Sequence, residues 1–555
     1  MNNSIKFIIK DLINEAAKEA IGKKEVEIPY FTITRPKKKE WGDICTNLPF
    51  LLAEKGKLSP QKIGESLASL LSKEKLFSQV EFAPPGFVNF FLSNSYLKDA
   101  LKKIVTEKEN FTQFSFGDER MIQVEFVSSN PTGPLHVGHG RGAALGDALS
   151  NNLKKLGFKV QKEYYVNDVG GQIEKLARSL WIRLRQLEGE DVSLPENGYK
   201  GKYLVEIAKK ILREKKEDVR GKSEGEVLSF LSKFAVDEIL EDIRADLDKF
   251  GIRYDSWFFE SELHKKGELA KTLSFLKDKN LIYEKDGALW FKTSAIIKNE
   301  QDRVLRRKNG SYTYFASDIA YHRNKLQRGF YRVIDIWGAD HIGYVPRMKA
   351  ATKVLGYSND TLKIIVYQLV TLRRGGKRVS ASTRAGEFIT LRELLEEVGK
   401  DAARFFFLSR SADSHLDFDL ELAKKQTPEN PVFYIQYAYA RICSILDKAK
   451  KEGYFLPSPN EINFDLLDKP EERDLMSLIA LLPDQVREAG EICEPHHLTV
   501  YLQELASVFH YFYTCHRVIT KNKELSSARL FLIQAVKIAI SDLLEILGIS
   551  APEKM

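Results

Sequence analysis

Cysteine is scarce. The chain has four in 555 residues (Cys45, Cys443, Cys493, Cys515), far apart and with no CxxC pair, which excludes a zinc ribbon and a disulfide framework. Cys493 lies near His496 and His497, but adjacent histidines on a helix point in different directions, so no metal site is expected there. Long apolar runs are missing as well: with no stretch of about eighteen apolar residues, no membrane span is expected. The N-terminal stretch MNNSIKFIIKDLINEAAKEA has acids within its apolar run and no small-residue cleavage pattern. It reads as a folded helix rather than a signal peptide, and the chain is expected to be cytoplasmic.

Two phosphate-binding signatures are incomplete. Gly221-Lys222-Ser223 resembles the end of a P-loop, but Lys216 stands where the first glycine belongs, in a charged helical stretch rather than after a strand. Gly138-His139-Gly140-Arg141-Gly142-Ala143 satisfies the loose dinucleotide pattern, with Glu163 further on. There Asn130, Pro131 and Pro134 intervene between strand and glycines, and His136 takes the phosphate position, so the nicotinamide reading is set aside.

What is present is an ordinary globular composition, 43% hydrophobic and 29% charged, on a chain too long for one core. The net charge of +8 is uneven: residues 416–555 hold 15 basic and 21 acidic side chains (−6), leaving +14 on the first 415. A polyanionic partner fits the first part.

The pattern predicts a multidomain α/β protein. Residues 1–115 read as a small α+β domain: a helix to about Gly22, a basic turn with Arg35, Lys37, Lys38 and Lys39, a helix from Cys45, and a hairpin turning at Pro84-Pro85-Gly86. The basic turn reads as a solvated loop by default, with phosphate contact as the alternative. Residues 116–418 alternate strand and helix patterns, as in an open parallel sheet, with strands expected at 121–127, 158–166, 312–316, 331–337 and 363–370. Residues 188–250 read as a charged, solvent-facing helical insertion. Residues 419–555 are all-helical, with Pro457, Pro459 and Pro470 as breakers, and predict a helix bundle.

The centre of the chain is Ser128–Arg141, SSNPTGPLHVGHGR, between a strand pattern and a helix pattern. Unpaired backbone N–H groups at a helix start suit anions. Pro134 stiffens the approach, Gly138 admits a flat ligand, and His136 and His139 offer donors for charge on a pentavalent phosphorus. Two histidines capping a helix is the plainer reading of the same residues.

The HxGH element with its NPTGPLH lead-in resembles the signature of class I aminoacyl-tRNA synthetases. YYVNDVGGQI, SYTYFASDIAYHRNKL, WGADHIGYVPRMKAA, TRAGEFITLRELLEEVGKDAARFFFLSR and TPENPVFYIQYAYARI are similar to blocks of the arginyl-tRNA synthetase family. GDICTNLPFLLA and APPGFVNFFLS resemble its N-terminal extension.

The resemblance covers essentially the whole chain. It implies a Rossmann-like class I catalytic domain, an N-terminal tRNA-binding domain and a C-terminal anticodon-binding bundle. It also implies ligation of L-arginine to tRNA(Arg) with ATP, Mg²⁺ accompanying the nucleotide, by a monomer that needs bound tRNA to activate arginine. ATP-site positions carried over are Pro131, Thr132, Gly133, Pro134, Leu135, His136, Val137, Gly138, His139, Gly140, Arg141, Val370, Ser380, Ser382 and Arg384. Glu125 and Asn130 would hold the α-amino group and backbone of arginine. Tyr314, ending a strand, and Asp318, opening the next helix, would face the guanidinium with Asp340 nearby; a planar cation calls for carboxylates. An N-cap is the plainer role for Asp318.

One departure stands out. Where the family places a KMSKS-like loop before Arg384-Ala385-Gly386, this chain has Ser380-Ala381-Ser382-Thr383, without either lysine, and Gly133 occupies the position where some arginyl enzymes carry a substitute. Lys377, Arg378 and Arg384 are the candidate phosphate cations. In the tail, Tyr434, Tyr437, Phe509, Tyr513 and His516 could stack on unpaired bases, although most aromatics at helical spacing are core. Two other classes share part of the pattern: a small-molecule nucleotidyltransferase, and a tRNA-binding relative impaired in catalysis.

Overall fold

The computed structural model describes residues 4–21, 27–56, 59–298, 300–358, 360–379, 389–454 and 456–555. At the N-terminal end, helices Leu48–Gly56 and Pro60–Leu71 pack on a four-stranded antiparallel sheet in the order Ile33–Thr34, Ile44–Thr46, Phe87–Leu92, Phe77–Ala83. Helix Ile5–Ile21 lies on Pro60–Leu71, and helix Asn94–Glu107 packs toward the C-terminal helices. The expected hairpin forms, with residues 84–86 turning between its strands. Cys45 does not start a helix. Ile44, Cys45 and Thr46 are all buried in a strand paired with Val88–Phe90, and the helix begins at Leu48.

The central sheet has five parallel strands: β1 (Met121–Glu125), β2 (Lys159–Val166), β3 (Ser256–Phe259), β4 (Arg332–Gly338) and β5 (Leu362–Tyr367), ordered β5-β4-β1-β2-β3. The order reverses at β1, so the ligand crevice of such a sheet lies beyond the carboxyl ends of β1 and β4. Helix α1 (Val137–Lys155) leaves that crevice and lies close on the sheet. Small residues permit the approach: a Cβ on Gly146 would stand 2.2 Å from the Phe126 ring, and one on Gly142 would stand 2.8 Å from Tyr367.

Three expectations change. The run 312–316 is not a strand: Thr313 is extended, and helix α5 starts at Tyr314 and runs to Gln327, burying Phe315, Ala316, Ile319 and Ala320 at helical spacing. The strands preceding it form a separate antiparallel sheet, Ile282–Lys285, Ala288–Phe291 and Arg303–Arg306. The run 363–370 is two strands: β5 ends at Tyr367, and Val370 starts a strand (Val370–Arg374) paired with Leu416–Asp419 and Lys377–Arg378. The insertion is helical as expected, α3 (Lys202–Glu214) and α4 (Glu224–Lys249), but it packs on α2 (Gly171–Leu187) and reaches the crevice instead of facing only solvent.

Helices α6 (Leu391–Val398) and α7 (Lys400–Leu408) lead to a bundle of α8 (Pro431–Lys451), α9 (Pro470–Ile492), α10 (His496–Cys515) and α11 (Lys523–Leu547). Phe509 is fully buried in its core, which removes it as a base-stacking candidate; Tyr437 and Tyr513 remain exposed. One side chain ties the bundle to the sheet. Arg404 on α7, fully buried, donates to the Leu547 carbonyl at the end of α11 (2.8 Å), to the Phe250 carbonyl at the end of α4 (3.2 Å) and to Asp147 Oδ2 on α1 (2.5 Å). Two helix C-termini and a carboxylate make a suitable seat for a cation. No helix among the described residues is long and apolar enough to cross a membrane.

Candidate active site

The backbone after β1 turns sharply. Val127 (φ 68°) and Ser128 (φ 38°) take left-handed conformations, which a β-branched residue adopts only under strain. The turn is held from β2: the Tyr165 N–H donates to Ser128 Oγ (3.0 Å) and the Tyr164 hydroxyl to the Ser129 carbonyl (3.0 Å). The chain then pairs with a distant segment. The Leu391 N–H donates to the Leu135 carbonyl (2.8 Å), the Val137 N–H donates to the Ile389 carbonyl (3.2 Å), and His136 bridges Thr390.

At the start of α1 the two imidazoles stack, with centroids 3.6 Å apart and planes 21° from parallel. A Cβ on Gly138 would lie 2.9 Å from His136 Cε1, so glycine is required for that stack. The His136 N–H donates to His139 Nδ1 (3.3 Å), which places the remaining ring proton of His139 on Nε2. Burial lowers the pKa of both; His139, beside His136 as well, is held at about 3. At neutral pH the pair therefore offers uncharged ring N–H donors at the start of α1. The negative field of Asp340 reaches His136 and partly opposes the effect of burial there.

At the same end of the sheet lies an acidic pocket. Asp318 sits in the second turn of α5, where Thr313 is the N-cap, so it does not open the helix, and Tyr314 begins a helix rather than ending a strand. Its pKa is pushed up to about 6 by burial and by the charges of Glu260 and Glu125, against a hydrogen bond from the Tyr344 hydroxyl and the pull of His322. Glu260, 4% exposed at the start of helix Glu260–Lys265, also acts on Tyr165. Tyr314 lies half exposed at the rim, and Asp340 is exposed.

Behind the pocket, Glu125 Oε2 accepts from Lys325 Nζ (2.5 Å), Lys325 donates to Asp335 (2.7 Å), and His322 Nε2 meets Asp335 (2.8 Å). Burial alone would lower the Lys325 pKa; Asp335 and Glu125 raise it above its ordinary value. The chain of alternating charge orients Glu125.

Sequence reasoning missed Glu260, Tyr344 and Lys325. Glu260 follows SWFF and reads as an ordinary acidic first turn; only its burial distinguishes it. Lys325 carried a signal in its position, three residues after His322 on the face that α5 buries.

Other expected residues are placed as follows. Asn130 is exposed and donates to Gln172 Oε1 (2.9 Å). Pro131 and Leu135 are buried, and Thr132, Gly133 and Pro134 lead into the turn. Gly140 packs on Leu391 and Phe407. Arg141 is not a ligand-facing cation: it is 1% exposed and donates to the carbonyls of Gln368 (2.7 Å), Ser411 (2.9 Å) and Ser414 (2.9 Å), fixing the break after β5. Lys377 and Arg378 are exposed on a two-residue strand and have no ion pair with a described residue. Ser380, Ser382 and Arg384 lie outside the described residues. Among the described residues no three His, Cys, Asp or Glu side chains group as metal ligands; His496 pairs with Glu494 (2.9 Å).

A five-stranded parallel sheet with a histidine-bearing turn at its switch point defines the class I aminoacyl-tRNA synthetase catalytic fold. Methionyl-tRNA synthetase from Mycobacterium tuberculosis shares it at a TM-score of 0.55 and 13% identity, over 78% of this chain and 92% of that one. Residues 100–408 match the family model described as tRNA synthetases class I (R), catalytic domain, residues 7–92 the arginyl tRNA synthetase N-terminal domain, and residues 435–555 the DALR anticodon binding domain. The arginine–tRNA ligases of Syntrophotalea carbinolica and Desulforamulus reducens are 45% and 46% identical, over 99% and 100% of this chain and 99% of each relative. Arginyl-tRNA synthetase from Thermus thermophilus superposes with a TM-score of 0.78 at 25% identity, over 99% of this chain and all of that one. The chain belongs to the arginyl-tRNA synthetase family.

Proposed function

We propose how this chain's residues carry out the family's reaction, ligation of L-arginine to tRNA(Arg) with ATP. The arginine carboxylate attacks the α-phosphorus in line, pyrophosphate leaves, and the terminal ribose hydroxyl of the tRNA then takes the arginyl group from AMP. The observation that carries the reading is the juxtaposition at one sheet end of two neutral imidazole donors and a buried three-carboxylate pocket. His136 and His139 stabilise charge developing on the α-phosphate, with the Pro131–Gly140 backbone framing the nucleotide. Asp318 and Glu260 face the guanidinium with Tyr314 at the rim and Asp340 nearby, and Glu125 and Asn130 hold the α-amino end; the charge of Asp340 also reaches His136.

Val370, Ser380 and Ser382 border the nucleotide, and Lys377, Arg378 and Arg384 supply the phosphate cation that the missing lysines would give. ATP enters as its Mg²⁺ complex. Residues 1–115 and 419–555 engage the tRNA around a catalytic unit of 116–418, in a cytoplasmic monomer. The test is alanine substitution followed by an arginylation assay. His136→Ala or His139→Ala costs about 2–4 kcal/mol of barrier, roughly 30- to 10³-fold; a fall under tenfold contradicts the assignment. If alanine at Lys377, Arg378 and Arg384 in turn leaves adenylate formation untouched, the cation assignment is wrong.

A further inference from the structure

The helical insertion grips the HxGH turn from both sides. On the entry side, Tyr203 of α3 donates its phenolic hydrogen to the Thr132 carbonyl, and its ring lies 3.4 Å from where a Cβ on Gly133 would stand. On the other side, α4 presents two carboxylates to Arg392: Nε donates to Asp246 Oδ1 (2.6 Å) and Nη2 to Asp242 Oδ1 (3.0 Å). Arg392 is the second residue of α6 and follows Leu391, whose N–H holds the Leu135 carbonyl. Thr132–Gly133 and Leu135–Val137 thus each have a mechanical link to the same insertion, one direct and one through Arg392. Among the described residues Arg392 forms ion pairs only with Asp242 and Asp246, and Asp246 is 1% exposed, so this link is a formed contact rather than a surface coincidence.

We infer that the insertion is a brace for the nucleotide half of the site, with Tyr203 and Asp246 as positioning residues for the ATP step. Neither belongs to the acidic pocket. Each acts through the backbone of the turn that carries the imidazoles, and displacement of a catalytic group by about 1 Å is enough to cost on the order of 10²-fold. A brace predicts a split between substrates: ATP kinetics suffer and arginine binding does not.

This inference rests on reading the HxGH turn as the ATP site, and the experiment separates the two. Arginine-dependent ATP–pyrophosphate exchange is measured on the full chain with tRNA present, for Tyr203→Phe, Asp246→Asn and His136→Ala. The expected result is a five- to twentyfold fall in kcat/KM for ATP in the first two, with KM for arginine within twofold of the parent. Arg392→Lys carries the same test should Asp246→Asn fail to fold. If His136→Ala abolishes exchange while Tyr203→Phe and Asp246→Asn leave ATP kinetics within twofold, the brace is overturned alone. Equal losses for ATP and arginine overturn it too, because a general loosening of the fold would move both. If His136→Ala leaves exchange intact, the ATP-site reading itself fails.

Discussion

Burial keeps the imidazoles of the HxGH turn uncharged, and burial also brings Asp318, within the acidic pocket, to titrate near neutrality. With its pKa at about 6, Asp318 is ionised at pH 7.5 and gains a proton as pH falls through 6. The arginine guanidinium stays cationic throughout, so acidification removes the acceptor and not the ligand. KM for arginine is expected to rise about fourfold between pH 7.5 and pH 5.5, one half-unit below the midpoint, while His139, at about 3, contributes nothing in that window. Asp318→Asn should flatten the profile and raise KM for arginine by roughly 10- to 150-fold, the loss of a charge-assisted hydrogen bond of about 1.5–3 kcal/mol. Steady-state arginylation across pH checks both, and a flat parental profile contradicts the assignment.

Among elements, the end of α11 meets α1 through Arg404. A Cβ on Gly548, which has a φ of 68°, would stand 2.2 Å from Arg404 Nη2, so the closing glycine of α11 gives the guanidinium its room. Arg404→Met leaves the carbonyls of Leu547 and Phe250 without that donor, and Asp147 with Lys162 as its remaining ion-pair partner and a long hydrogen bond from Asn151 (3.4 Å). Breaking a buried pair from one side costs about 3–5 kcal/mol, and the expected readout is a drop of several degrees in thermal midpoint that Arg404→Lys only partly restores. An unchanged midpoint would show that the tie is dispensable. Nothing at Arg404 was legible beforehand: RFFFLSR reads as an amphipathic helix, and the partners lie 257 and 143 residues away.

Four of the five parallel strands, the hairpin and the bundle were legible because they bury runs with a clear period; β3 was not expected, because SWFF is only four residues long and half-buried throughout, with no alternation to read. The strand expected at 312–316 was wrong because SYTYF alternates while ASDIAYHRNKL, just after it, sets the helix. The HxGH turn was legible from its residue types; Glu260 was not, because burial of a charge is decided by tertiary neighbours, and Lys325 left only the trace of its spacing from His322.

Across the whole molecule, the basic turn near residue 35 joins the N-terminal domain to the bundle. Arg35 pairs with Glu504 (2.6 Å) and Lys39 with Asp474 (2.5 Å), while Asp43 receives Arg473 (2.8 Å) and Ser477 (2.7 Å). Asp484 on α9 also accepts from the Lys6 N–H (3.0 Å) at the start of the first helix. The turn read by default as a solvated loop, with phosphate contact as the alternative, thus gives Arg35 and Lys39 to the acidic bundle and leaves Lys37 and Lys38 on its outside. Bundle, sheet and N-terminal domain form one continuous packed body, with α1 at the junction between the bundle and the nucleotide turn. The tRNA engagement proposed for the outer domains therefore has a physical route to that turn.

Arginine-dependent ATP–pyrophosphate exchange, run with and without tRNA(Arg), tests this account most directly. Exchange that appears only when tRNA is bound is the predicted result. tRNA binding with no exchange under any condition would contradict it and leave a tRNA-binding relative without catalysis, and exchange indifferent to both arginine and tRNA would point to a small-molecule nucleotidyltransferase.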